Sequence, residues 1–410
     1  HRKDHESIQT AMPRVIAIDM PDNMQREDGT ARFAYVTFVM MNDSYVPGAL
    51  LMAYGLRRQW TEADLVCLVT PEITADAREA LSILYDRVIE VETVYVPHKR
   101  SHERRDRPFW FTRQNAFRLG VDGDLGTAYD KIVVLDADVL PMKWFDHLFT
   151  LDTPAGVMNE SKEHCIEEDE EGQYIVPLHL NANTQWRWHE IYAACPHGQP
   201  IPQKITDRVA SDPRNNTGVS GSLYVWEPSM REYLDIRETI AKPPVLEYVN
   251  DRFDYPDMQY MTMRYSGRWK SVDLRFIGFK GYPGLQALFG THYAGFKPWY
   301  FNQPQILKRY SLYEDFAYWY REYLAMVWVD YPDLRQIKRL ARLERDVREL
   351  TGIEIGAAAV APAAAQPSRA AASPSPKRPQ QTARRGQNPP ARGGRPKSKR
   401  QGGKKSRRRG

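Results

Sequence analysis

Four short apolar runs between residues 33 and 135 alternate with segments of helix length, and that alternation leaves few folds open. Residues 34–39 (Ala-Tyr-Val-Thr-Phe-Val) read as a buried strand, Asp64–Val69 as a second, Arg87–Val91 as a third and Lys131–Leu135 as a fourth. Between them, Pro47 suits the first turn of a helix reaching about Gln59. Thr74 suits the cap of a helix with Ala77, Leu81 and Leu84 on one face, and a further helix is expected around Phe111–Leu119. A chain that repeats strand and helix in this way buries both faces of its strands, so the expected class is α/β with a mostly parallel sheet covered by helices.

In such sheets ligands sit just past the carboxyl ends of the strands. The fourth run ends there on Asp136-Ala137-Asp138. Two carboxylates with a small residue between them can turn toward one hard divalent cation. A lone Asp-x-Asp is also a common solvated turn, so the triplet needs company. It has some in His292-Tyr293-Ala294-Gly295-Phe296-Lys297-Pro298-Trp299. There an imidazole can complete the coordination of Mn²⁺, a glycine lets backbone approach a phosphate, and a lysine supplies a point charge. Without an ion, the same residues read as an aromatic structural loop with a core histidine.

The second half is less regular. Glu167–Glu171 reads as a solvated acidic loop and residues 179–217 as a long insertion or lid. Ser222–Trp226 reads as a strand, Pro228-Ser229 opens a helix to about Ile240, and Tyr255–Tyr265 is helical. Two helices, about 311–326 and 332–351, close the folded region, their tyrosines serving packing. The expected organisation is an irregular segment 1–32, a catalytic domain 33–305 with an insertion at about 160–217, packed helices over 306–355, and a tail from 356 to 410.

Charge divides the chain at that last boundary. The tail holds fifteen Lys and Arg and no Asp or Glu; of totals of 57 basic and 52 acidic residues, the body keeps 42 and 52. The tail has no aromatic residue and too little apolar surface to offset its ordering entropy, so disorder is expected. Its runs Lys397-Ser398-Lys399-Arg400 and Lys404-Lys405-Ser406-Arg407-Arg408-Arg409 suit nuclear import or sequence-independent contact with a polyanion or nucleic acid through residues 369–409.

Three cysteines, Cys67, Cys165 and Cys195, give no disulfide framework. His164-Cys165 and Cys195-Pro196-His197 carry zinc-ligand residue types without a zinc spacing. The longest apolar stretch, Phe33–Met41, is far short of a membrane span. No secretory signal is seen, although a chain that begins at His1 leaves a removed leader open. The expected location is cytoplasmic, or nuclear through the tail, and not secreted.

The chain resembles glycosyltransferase family 8, the glycogenin-like enzymes, and more narrowly the glycogenin-like proteins of large DNA viruses. The resemblance covers roughly residues 33–305 and rests on four segments. Tyr35-Val36-Thr37 with Asn42-Asp43-Ser44-Tyr45 matches the turn that binds uracil and ribose, one residue longer here, which implies that role for Asn42 and Tyr45. Phe111-Thr112-Arg113 places Arg113 near the donor. Asp136-Ala137-Asp138 matches the metal triplet, and the His292–Trp299 block supplies His292 as third ligand with Gly295 and Lys297 at the diphosphate. Asp254-Tyr255-Pro256-Asp257 resembles a sugar-side Asp-x-x-Asp, with Met258 where Gln often follows. The family's Asn-Ser-Gly-Val strand is degraded, with Asn216–Val219 or Ser220–Leu223 in its place.

The resemblance implies a GT-A (Rossmann-like) fold and a Mn²⁺- or Mg²⁺-dependent, retaining transfer of a hexose from a UDP-sugar to an unidentified glycan or protein acceptor, with an α-linkage formed. A homodimer is also expected. Two competing readings are a catalytically silent scaffold acting through the basic tail, and a nucleotidyltransferase, which leaves the His292–Trp299 block unexplained.

Overall fold

The computed structural model describes residues 9–11, 13–181, 186–188 and 190–355. The basic segment 356–410, with the disorder and polyanion contact expected of it, lies outside the described residues.

The strands expected from the apolar runs form as β1 (Phe33–Val39), β2 (Asp64–Val69), β3 (Arg87–Glu90) and β4 (Lys131–Leu135). They join β6 (Ala155–Met158), β7 (Val219–Trp226) and β8 (Lys270–Ser271) in a seven-stranded sheet, while β5 (Val139–Pro141) leaves it. The order is β8-β6-β7-β4-β1-β2-β3, with β1 to β4 mutually parallel where they pair and β7 antiparallel to both neighbours. This is the mixed, mostly parallel α/β sheet the alternation implies.

Every residue of β1 is buried because both faces of the sheet are covered. Phe33, Tyr35 and Val39 point into one core, which holds α1 (Val46–Arg57), α2 (Ala75–Leu84) and the C-terminal helices. Ala34, Val36 and Phe38 enter the other, with Phe111, Phe117, Tyr233, Tyr260 and Met261. Thr37 sits in the dry centre, its hydroxyl donating to the Leu135 carbonyl at 2.8 Å.

Several expectations are corrected. The helix around Phe111–Leu119 is a longer 3-10 helix, Arg107–Leu119, opened by Pro108. The strand at Ser222 begins earlier, at Val219. The first C-terminal helix is Glu314–Ala325, continued by a π turn Met326–Asp330; the second opens as a 3-10 turn Pro332–Gln336 before Lys338–Thr351, and a further helix, Pro304–Tyr310, precedes the pair. Tyr310, Tyr320 and Tyr323 are buried packing residues. The acidic run 167–171 is not simply solvated: it forms a hairpin with Tyr174–Ile175, and Arg309 engages Asp169 at 3.0 Å and also Glu171. Within the insertion, Cys165, Cys195, Ile201, Ile205 and Val209 are buried, so much of it packs as core.

One buried polar relay ties the insertion to the body. Asp273 N–H donates to His197 Nδ1 at 3.0 Å, so the His197 proton resides on Nε2. Nε2 lies 2.8 Å from His147 Nε2, and His147 Nδ1 lies 2.6 Å from the Asp19 carbonyl. Each nitrogen is satisfied only when both rings are neutral. Burial, then the neighbouring His147, pulls the His197 pKa from 6.5 down to about 4, while Asp273 opposes and Arg275 assists. Below pH 6.5 the unfolded chain therefore binds a proton that the folded chain refuses. Stability is complete above pH 6.5 and declines by roughly 3 kcal/mol as pH falls toward 4. Melting temperatures measured from pH 7 to 4 should fall more steeply for the wild type than for His197→Gln; parallel curves would refute this assignment.

Candidate active site

The site forms where β4 runs out. Asp136 N–H is bound by the Ser222 carbonyl at 3.1 Å, and the chain turns at once so that Val139 N–H returns to the Asp136 carbonyl at 3.0 Å. β5 then pairs with β10 (Gly290–His292) in a small separate sheet, completed by β9 (Gly278–Phe279). The register sets His292 opposite Val139, and Tyr293 N–H donates to the Asp138 carbonyl at 2.9 Å. Side chains 154 residues apart in sequence therefore meet through strand pairing alone.

Helix α1 closes this turn from one side. A Cβ at Gly48 would stand 2.3 Å from the Ala137 carbonyl oxygen, and one at Gly55 would stand 2.3 Å from that of Pro141. The two glycines, seven apart, share one helix face and let the backbone of α1 rest directly on the Asp136–Pro141 segment. Ala137 is itself buried, which accounts for a small residue between the aspartates.

Ligand atoms of Asp136, Asp138 and His292 lie within 4.8 Å of one another, and this is the only metal-ligand cluster found among the described residues. The His164-Cys165 and Cys195-Pro196-His197 pairs form none. His292 Nε2 is 3.3 Å from Asp138 Oδ1, which is buried and accepts no hydrogen bond. The other oxygen of Asp138 accepts from the Lys297 ammonium, which also donates to the Tyr293 carbonyl at 2.6 Å. Burial alone would raise the Asp138 pKa, but Lys297 and His292 outweigh it and hold this carboxyl well below the usual range. Asp138 is thus a permanent anion with one buried oxygen left open. Two carboxylates and an imidazole form a donor set suited to Mn²⁺, so these residues fit a divalent cation.

Asp136 faces the other way as well. Arg113 forms an ion pair with it at 2.7 Å and donates to Asp257 at 3.3 Å and to the Gly221 carbonyl. Burial pushes both carboxyl pKa values up, opposed chiefly by this one guanidinium. The Tyr45 ring stands 5.7 Å from Lys297 Nζ and edge-on to Trp299 at 5.8 Å. Asn42 caps the short turn that presents Tyr45, accepting from Ser44 N–H at 2.9 Å. Gly295 adopts a positive φ of 74° inside the loop that carries Lys297.

Asp254 and Asp257 have different partners: Asp257 joins Arg113 while Asp254 pairs with Arg100 of the basic loop. Tyr255 (φ −121°, ψ 76°) turns the chain between them as helix Pro256–Arg264 begins. Two residues of β7 also stand beside these groups. Ser222 lies 3.4 Å from the His292 ring nitrogens, and the buried Tyr224 hydroxyl, beside Asp257 and Arg113, has no hydrogen-bond partner. A register irregularity between Val219 and Tyr224 breaks the two-residue alternation there, so their facing is not legible from the sequence.

A carboxylate pair and a histidine at the carboxyl edge of a mixed α/β sheet, backed by a lysine, form a candidate divalent-cation site. Residues 36–192 match the model of glycosyl transferase family 8. The matched segment includes Asn42, Tyr45, Arg113 and Asp136–Asp138. An uncharacterized protein of Acanthamoeba polyphaga mimivirus is 29% identical over 245 residues, 60% of this chain and 71% of that one. Glycogenin of Neurospora crassa is 37% identical over 117 residues, 28% of this chain and 16% of that protein. Galactinol synthase 2 of Arabidopsis thaliana is 24% identical over 285 residues, 67% and 75% of the two chains. Among solved structures, the galactosyltransferase LgtC with donor and acceptor sugar analogs is similar at a TM-score of 0.40 and 13% identity, covering 78% of this chain and 97% of that one.

No helix among the described residues is long and apolar enough to cross a membrane.

Proposed function

We propose that this glycosyltransferase moves a hexose from a UDP-sugar to a glycan or protein acceptor, with retention and an α-linked product. The observation that carries the reading is the convergence of Asp136, Asp138 and His292 beside the Lys297 ammonium. Breaking a sugar–diphosphate bond leaves negative charge on the departing oxygens, and the site gathers cations around that place. A divalent cation held by Asp136, Asp138 and His292 would supply Lewis-acid stabilisation of those oxygens.

The chain's own groups do the rest. Lys297, released from Asp138, adds a positive charge at the diphosphate. Tyr45 offers a ring face to the nucleoside, and Asn42 holds the turn that carries it. Burial, together with the Asp138 charge, raises the Tyr45 pKa, so the phenol stays protonated and can donate. Asp257 orients the sugar, and Arg113 counters the burial that pushes the Asp136 and Asp257 carboxyls up.

A thermal-shift series with UDP-glucose, UDP-galactose and UDP-N-acetylglucosamine, each with and without Mn²⁺, tests the reading. A ligand at a hundred times its Kd stabilises by about 2.7 kcal/mol. At least one sugar nucleotide should raise the melting point in Mn²⁺ and release UDP on incubation. No shift with any UDP-sugar, or release that persists in EDTA, would remove the metal-dependent donor site.

A further inference from the structure

A second lysine approaches the donor loop from beneath. Lys280 follows β9, and its N–H donates to the His292 carbonyl at 3.0 Å. Its backbone is left-handed, with φ at 49°, a conformation uncommon outside glycine. The residue is 5% exposed, and its ammonium is buried without a hydrogen-bond partner. A Cβ placed on Gly295 would lie 3.4 Å from that ammonium. Lys280 Nζ is therefore packed against the bare face of the glycine between His292 and Lys297.

An ammonium carries three donors, and leaving all of them unused in a dry interior is costly. Burial disfavours its charge and the buried acid Asp315 is the main group favouring it, yet that side chain accepts a hydrogen bond from Phe316 N–H at 2.9 Å. Lys297, by contrast, repels it. Two ammonium groups thus flank one turn of backbone, and one of them meets the Tyr310 ring, 5.8 Å from its centroid, but no hydrogen-bond acceptor.

We propose that Lys280 is a second anion-binding residue of the donor site, reaching the diphosphate past Gly295 on the side that Lys297 does not cover. Glycine at 295 then has two functions: it takes up the positive φ and leaves the Lys280 ammonium unscreened. This rests on the donor reading above.

Calorimetric titration of the full chain with UDP and with uridine, in Mn²⁺, tests it. Lys280→Met keeps the apolar stem and removes the charge. A lost charged hydrogen bond corresponds to roughly tenfold weaker binding or more. UDP affinity should fall by that factor while uridine affinity stays within twofold. Wild-type UDP affinity in Lys280→Met would overturn the Lys280 role and leave the donor reading standing. Absence of UDP binding by the wild type would overturn both. Asp315→Asn provides the second arm and does not depend on the first variant folding. With the opposing carboxylate gone, Lys280 should bind UDP at least as tightly. Weaker UDP binding there would mean that Lys280 is only the structural counter-ion of Asp315.

Discussion

Asp138→Ala should lower metal-dependent turnover of the UDP-sugar by at least 10²–10³-fold, the loss typical of removing one group that stabilises developing charge. Two effects combine in this variant. The permanent anion of the ligand set disappears, leaving Asp136, which burial drives toward its neutral form, and His292. Lys297 also loses its carboxylate partner and keeps only the Tyr293 carbonyl, so a buried ammonium stands nearly alone. UDP release from the sugar nucleotide in Mn²⁺, followed beside Mn²⁺ titration of the folded variant, separates loss of the ion from loss of the chain. A variant that binds Mn²⁺ as the wild type does and turns over at full rate would exclude Asp138 from the chemistry.

Arg113→Met should destabilise the fold by roughly 3–5 kcal/mol, the usual result of removing one partner from a buried charge network. The guanidinium stands between Asp136 and Asp257, both of which burial already pushes up in pKa. Its removal leaves the half-buried Asp136 and the buried Asp257 without their shared counter-charge, and each will take up a proton more readily. Mn²⁺ affinity should then weaken at neutral pH and recover as pH rises, because a protonated Asp136 is no ligand. Denaturant melts and Mn²⁺ titrations at pH 6 and 8 read both consequences. Stability within 1 kcal/mol of the wild type and a pH-independent Mn²⁺ affinity would show that Arg113 is not the counter-charge.

The same residue shows how far the primary structure can be read. Arg113 is legible as a basic residue ahead of the fourth strand, but its partners are not. Asp257 lies 144 residues away, and the oxygen of Gly221 belongs to a strand whose start was placed three residues late. Asp254 shows the opposite failure. Its spacing from Asp257 suggests a shared role, yet an extended Tyr255 at the mouth of a helix sends it to Arg100. Tyr224 reads only as a strand residue and Ser222 only as part of a degraded motif. The 3-10 geometry of Arg107–Leu119 is not legible because sequence period alone separates it poorly from an α-helix.

By itself the chain's order of residues determined what is local: where apolar runs must be buried, that their alternation with helices calls for a covered parallel sheet, and that β4 must end on two carboxylates. These follow from periodicity and from the cost of burying backbone and charge, which act over a few residues at a time. Only the tertiary structure decided which of the titratable groups face one another. The register of β10 on β5 carries His292 to Asp138, and two glycines let α1 rest on the turn between them. A one-residue slip in that pairing would reverse the side chain of His292, and no local preference in the sequence specifies it.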